Sequence, residues 1–271
     1  MGVRIHVLGA GSILPRAGYG CAGYALVLDG SDDITLLDCG PGSIRNLAAA
    51  GLRVENVKRI VFSHYHLDHC LDLFALIFAR RNPTVKFAHL SVYGPVGLRR
   101  LIEDTPKGLG HYAVDSDIEW NEIEMDARGF GRFRAAGMRF TGAANGHCGE
   151  AVSWRIEGPG GGAEKGSTPD WCLAYSGDTG DNPVVARIAK KADLFLCECS
   201  FAEEEAQPNH LTPLQAGRLA ATAGARKLVL THFYPSLRPE DAAARAADVF
   251  DGPIETARDG STHLPDELPA E

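Results

Sequence analysis

The stretch Lys58-Arg59-Ile60-Val61-Phe62-Ser63-His64-Tyr65-His66-Leu67-Asp68-His69-Cys70-Leu71-Asp72 runs a short apolar segment straight into four potential metal ligands within six residues. Ile60, Val61 and Phe62 read as a buried strand, and the chain from His69 onward, with Leu71, Leu73, Phe74, Leu76 and Ile77, reads as a helix with one apolar face. The ligands therefore fall on a strand-to-helix loop. Such a loop can turn His64 and His66 to one side and Asp68 and His69 to the other, which suits two metals a few ångströms apart. Neutral imidazoles with a carboxylate are the donors a borderline divalent ion such as zinc prefers. Ten histidines in 271 residues are too sparse for three of them to bracket an aspartate here as ordinary surface residues.

Working outward, the chain is long enough for one large domain with a substantial core, and no linker-like segment divides it, so a single domain over 1–271 is expected. Its 45% hydrophobic and 23% charged content is that of a soluble globular protein. The formal net charge of −8 argues against nucleic-acid binding through a global field, which needs clustered Lys and Arg to displace counterions. Arg80 and Arg81, Arg99 and Arg100, and Arg128, Arg132, Arg134 and Arg139 are the densest basic groups, and each reads first as a solvated surface. Seven scattered cysteines and an N-terminal apolar run too short for a signal peptide lead us to expect reduced thiols in a cytoplasmic protein. No run reaches the length of a membrane helix.

Further candidates stand at strand ends. Val3 to Leu8 reads as a first strand turning at Gly9-Ala10-Gly11-Ser12, and Cys21–Leu28 and Ile34–Leu37 form a hairpin that ends in Asp38-Cys39-Gly40. Asp38 can orient a metal-bound histidine from behind. The pattern next predicts a helix to about Arg80, a strand at Leu90–Tyr93, a helix at Val96–Glu103 and no clear period over 104–117. A run of antiparallel strands is then expected at Ile118–Met125, Phe130–Ala135 and Met138–Thr141, ending before His147. His147 becomes a third-histidine candidate because His64 and His66 still lack a partner. A flexible Gly-rich loop is expected from Gly158 to Asp170, and Asp178 follows the next strand on a Gly-flanked loop where a carboxylate can bridge two cations. Glu198 interrupts the apolar strand Leu194 to Cys199, so it requires a cationic or hydrogen-bonding partner. Cys197 and Cys199 straddle it and should share the opposite face. Thr212, Pro213 and Gln215 spell a capping box, which places His210 just before a helix N-terminus. His232 ends the strand Lys227–Leu230. A helix at Glu240–Phe250, a strand at Pro253–Thr256 and a frayed polar tail complete the pattern.

The His-x-His-x-Asp-His run, the Leu-Asp-Cys-Gly-x-Gly at 37–42, the Ser-Gly-Asp-Thr at 176–179 and the late strand-end Thr-His resemble the metallo-beta-lactamase superfamily. The resemblance covers most of the chain. It implies an α/β fold, a four-layer αβ/βα sandwich of two mixed sheets flanked by helices. His64, His66 and His147 would serve one divalent metal ion and Asp68, His69 and His232 a second, with Asp178 between them. Zinc is the favoured ion, with manganese or iron the alternatives. Within the superfamily the Leu-Gly-Ala-Gly-Ser start, the Glu198-Cys-Ser-Phe segment and the His210-Leu-Thr-Pro stretch are similar to the ribonuclease Z group. That similarity implies that His210 contacts the scissile phosphate, with Glu198 as its partner, and that the chain could pair as a homodimer. The group's Gly- and Pro-rich tRNA-gripping arm lies between the third histidine and the bridging aspartate. Here His147 and Asp178 are only 31 residues apart, and Lys165 is the one base in the Gly-rich loop.

The expected function is metal-dependent hydrolysis of a small phosphodiester or nucleotide, with Asp68 relaying a proton. Ribonuclease Z-type tRNA 3′ processing is the alternative, disfavoured by the missing arm and the acidic balance. Lactone, thioester or sulfate-ester hydrolysis on the same metal site is a further one. Oxygen reduction at di-iron fits less well, because those relatives carry glutamate where this chain has His66. A binding protein on this fold would be expected to lose ligands, and none is missing.

Overall fold

The computed structural model describes residues 1–158 and 169–265, so most of the expected Gly-rich loop, with Lys165, and the last residues of the tail lie outside the described residues. In chain order β1 (Val3–Gly9), β2 (Gly23–Leu28), β3 (Ile34–Cys39), β4 (Val57–Val61), β5 (Leu90–Pro95) and β6 (Ile118–Ile123) build one sheet. Next, β7 (Phe130–Ala135), β8 (Met138–Ala144), β9 (Val152–Glu157), β10 (Cys172–Tyr175), β11 (Leu194–Glu198), β12 (Leu228–Thr231) and β13 (Ile254–Thr256) build the other. A last strand, β14 (Thr262–His263), returns to pair with β1. Among the described residues each sheet has seven strands, and each is antiparallel in one part and parallel in the other: β3 to β6 run together in the first sheet, β10 to β13 in the second.

Three apolar layers follow from the strand patterns. Strands buried on both faces need cover on both. Val7, Tyr24, Leu37, Val61, Trp154, Ile156, Tyr175 and Leu196 fill the space between the sheets. On the outer face of the first sheet pack α1 (Ser43–Ala49), α2 (Leu67–Cys70), α3 (Asp72–Ala79) and α4 (Leu98–Leu109). On the outer face of the second pack α5 (Pro183–Ile188), α6 (Pro213–Ala223) and α7 (Pro239–Ala246). The result is the expected four-layer sandwich. No helix among the described residues is long and apolar enough to cross a membrane.

The capping box at Thr212 is present in full, and Gly224 closes α6 in the left-handed conformation. Cys197 and Cys199 both point into the layer under α5 and α6, opposite Glu198, and all seven cysteines are free.

Several local expectations are corrected. Ile118–Ile123 is not part of an antiparallel run: it pairs parallel with β5 at the edge of the first sheet. An edge strand half-exposed on one face alternates whichever way its neighbour runs, so periodicity could not decide the direction. The helix after His69 is two, α2 and α3, meeting at Leu71, with the Asp72 carboxylate accepting from the Gly42 and Ile44 amides at the start of α1. α4 continues to Leu109 through the span that showed no period, because its outer turns are exposed and carry few apolar residues. α7 ends at Ala246 rather than Phe250. The tail is not frayed up to Thr262 and His263, which pair with His6 and Ile5 of β1; a two-residue strand is too short to carry a period.

Trp154 ties the two sheets together. It is fully buried, and its indole Nε1 donates to the Phe62 carbonyl of the opposite sheet at 2.9 Å, just before the histidine loop. Trp154→Ala is expected to lower the unfolding free energy by about 3–5 kcal/mol, as other buried aromatic deletions do. Urea denaturation of the two proteins side by side would measure it.

Candidate metal centre

The candidate ligands converge at one edge of the sandwich, where the parallel strands of both sheets end. β4 delivers His64 and His66, α2 delivers Asp68 and His69, the turn after β8 delivers His147, the loop after β10 Asp178 and the end of β12 His232. The donor atoms of His64, His66, His147 and Asp178 lie within 4.8 Å of one another, and those of Asp68, His69 and His232 do likewise. His66 turns Nδ1 toward His147 Nε2, 3.2 Å away. Asp178 divides its two oxygens between the clusters. Oδ2 stands 3.9 Å from His64 Nε2 and 3.8 Å from His147 Nε2, while Oδ1 stands 3.2 Å from His69 Nε2 and 3.5 Å from His232 Nε2. Asp68 Oδ2 is 3.5 Å from His232 Nε2.

Do these residues fit a cation? His64 Nε2, His69 Nε2, His232 Nε2 and Asp178 Oδ1 are buried and make no hydrogen bond among the described residues. Left so, each would carry a desolvation penalty of about 1–3 kcal/mol. Donors held at about 2.0–2.1 Å from a zinc ion stand about 3.3 Å apart at tetrahedral angles, close to the separations here. The set therefore fits divalent-metal binding.

The opposite ring nitrogens are anchored. His69 Nδ1 meets Asp38 Oδ2 at 2.7 Å, His64 Nδ1 meets Ser63 Oγ at 3.0 Å, His147 Nδ1 meets the Asn209 carbonyl at 2.7 Å and His232 Nδ1 meets Ser200 Oγ at 3.1 Å. Asp38 stands where the sequence placed it, behind a histidine, and it also accepts from the Ser63 amide and hydroxyl and the Tyr175 hydroxyl. Sequence reading missed Ser63, Ser200, Tyr175 and Asn145. Asn145 links the His147 and Asp178 loops, donating to the Asp178 carbonyl at 2.9 Å and accepting from the His147 amide at 3.1 Å. The Asn-Gly after a strand was the one available sign of it.

Glu198 and His210 meet at the rim of the second cluster. Glu198 is buried and accepts from the Thr179 and Leu211 amides, the Ser200 hydroxyl and His210 Nδ1, the last at 3.0 Å. This supplies the partner its burial demanded. Burial opposes a proton on His210, but Glu198 outweighs it and raises the imidazole above the ordinary histidine range. Burial likewise opposes charge on Asp178, and His232 and His69 outweigh it, holding the carboxyl well below the usual range.

Removing the charge of Asp38 while keeping its shape isolates the anchoring of His69. Asp38→Asn is expected to weaken zinc binding by about 10–100-fold, the usual effect of losing a partner behind a metal-binding histidine. Competition against a chromophoric chelator would measure the change, with circular dichroism confirming the fold.

The chain is 32% identical over 269 residues to the uncharacterized protein ML1173 of Mycobacterium leprae, covering 96% of this chain and 88% of that one. It is 28% identical over 311 residues to a ribonuclease Z of Myxococcus xanthus, covering 96% of this chain and 97% of that one. In three dimensions it resembles the metallo-beta-lactamase fold protein YhfI of Bacillus subtilis with a TM-score of 0.80 at 23% identity, over 97% of this chain and 100% of that one. The family model of the beta-lactamase superfamily domain matches residues 35–233, a span that opens just before Asp38 and closes just after His232, and the chain belongs to that superfamily.

Proposed function

We propose that the protein is a hydrolase of phosphodiesters, acting on a small diester or nucleotide at two divalent ions, zinc by preference. The observation that carries this reading is the His210–Glu198 pair. His210 is the surplus histidine: it lies within 4.8 Å of donor atoms of Asp178 and His232, yet both of those already belong to the two clusters. An imidazole held there by a buried carboxylate that favours its proton answers the anionic oxygens of a phosphodiester, which a lactone or thioester lacks.

His64, His66 and His147 would hold one ion and Asp68, His69 and His232 the other, with Asp178 shared. Bound there, the ions would supply Lewis-acid charge and activated water for attack on phosphorus. His210 presents its proton toward the developing charge, and Glu198 fixes the ring by accepting from Nδ1. Asp68, 3.5 Å from His232 Nε2, stands ready as the carboxylate that takes a proton from the attacking water. Asn145 and Ser63 keep the loops from spreading.

A second reading, tRNA 3′ end processing, draws support from the similarity to the Myxococcus xanthus ribonuclease Z. Against it stand the short interval between His147 and Asp178 and the net charge of −8.

The metal-loaded protein is expected to turn over bis(4-nitrophenyl) phosphate. His210→Ala is expected to lower kcat by about 10²–10³-fold with metal content unchanged, the scale seen when one transition-state donor is removed. A 3′-extended precursor tRNA run in parallel separates the readings: accurate cleavage after the discriminator base would install the ribonuclease, and inactivity on both would remove the phosphodiester class.

A further inference from the structure

Beside the metal cradle the same sheet edge carries a cavity of about 530 Å³ lined by Tyr65, Val96, Arg100, Asp104, Thr105 and Glu150. Its place follows from the topology. β4, β5 and β6 run parallel, so the loop after β5 leaves the sheet at the edge where the histidine loop leaves β4. Tyr65 lies between His64 and His66, and Glu150 lies three residues after His147. Both histidine loops therefore bound the cavity on one side, and α4 bounds it on the other. Crevices at the carboxyl ends of parallel strands are where such sheets place ligands.

The wall nearest the metals is rigid. The Tyr65 hydroxyl donates to the Pro95 carbonyl at 2.6 Å. A Cβ at Gly94 would stand 2.3 Å from that hydroxyl, and one at Gly97 3.3 Å from the ring. Only glycine lets the ring lie this close, and the volume is that of a small-molecule site. Its charges are unequal in their partners. Arg100 lies 3.5 Å from Asp104, whereas the half-buried Glu150 carboxylate has no hydrogen bond or ion pair among the described residues. A carboxylate so placed is an acceptor for N–H groups brought by a ligand.

We infer that this cavity is the nucleoside subsite, and that Glu150 selects bases with an amino group at purine C6 or pyrimidine C4. The inference rests on the phosphodiesterase reading above. Adenine and cytosine bring that amino donor to the carboxylate, whereas guanine and uracil carry a carbonyl oxygen in the corresponding place and are repelled. A quaternary ammonium suits the site less well: a cation cage needs several aromatic faces, and here one ring stands beside a guanidinium.

The test compares kcat/KM for 3′,5′-cyclic AMP, GMP and UMP on metal-loaded protein, with bis(4-nitrophenyl) phosphate as the base-less reference. The wild type is expected to favour the adenosine ester over the guanosine and uridine esters by about tenfold or more, the effect of leaving one charged acceptor unpaired. Glu150→Gln, whose amide donates as well as accepts, is expected to bring the three within about twofold of one another. The uridine ester should gain relative to the base-less diester in the same variant. Equal kcat/KM for all three bases in the wild type, or a preference that survives Glu150→Gln, overturns the subsite alone. Turnover of no diester overturns the subsite together with the phosphodiesterase reading.

Discussion

A carboxylate buried at the end of a strand organises this molecule. Asp38 is wholly shielded from water, and an unpaired charge there would be prohibitive. It is not unpaired. It accepts from the Ser63 amide and hydroxyl at 2.7 Å each, from His69 Nδ1 at 2.7 Å and from the Tyr175 hydroxyl at 2.6 Å. Those donors come from β3's neighbour β4, from the short helix after the histidine loop, and from β10 across the sandwich. One side chain therefore fixes the distance between the sheets at the point where the ligands must meet. The backbone at Asp38 is left-handed, with φ of 54°, a conformation that costs about 1–3 kcal/mol and persists only where surrounding bonds impose it.

The second sheet repeats the device with a different outcome. Glu198 ends β11 as Asp38 stands one residue before the end of β3, and it too gathers four donors, two of them backbone amides. Asp38 uses its charge to hold His69 against the metal cradle. Glu198 uses its charge to raise the proton affinity of His210 at the rim. Equivalent burial thus anchors a candidate ligand in one sheet and favours a proton on His210 in the other. The difference lies in where each histidine sits: His69 is fully buried, and His210 keeps access to the mouth.

Much of this was legible in the chain. Four ligands in six residues after an apolar run, and histidines or carboxylates at successive strand ends, required no tertiary information, because a strand that stops at a polar residue must put that residue at a sheet edge. Glu198 announced its need for a partner simply by interrupting a buried strand. What stayed hidden were groups whose role exists only through contact. Ser63 and Ser200 are ordinary residues in sequence, and Tyr175 reads as core, yet their hydroxyls complete the two carboxylate shells. The direction of β6 was hidden for another reason: exposure pattern reports burial, not the polarity of the neighbouring strand.

Close backbone approach explains why the loops carrying these groups are glycine-rich. A Cβ at Gly40 would fall 1.9 Å from the Asp68 carbonyl oxygen, and one at Gly177 would fall 2.7 Å from the Ser63 side chain. The loop after β3 is thus pressed against the ligand loop after β4, and the Asp178 loop is pressed against the same loop from the other sheet. His232 adopts φ of 59°, a second strained position at the site beside Asp38. Strain at both positions, with no side chain at the glycines between them, is what permits seven donors from both sheets to close on so small a volume. The β-strands set the edge at which the ligands appear, but the separation between the Asp178 oxygens and their imidazoles is set by these backbone contacts. Widening any one of them would move a donor out of reach of its cluster before it disturbed the sheets.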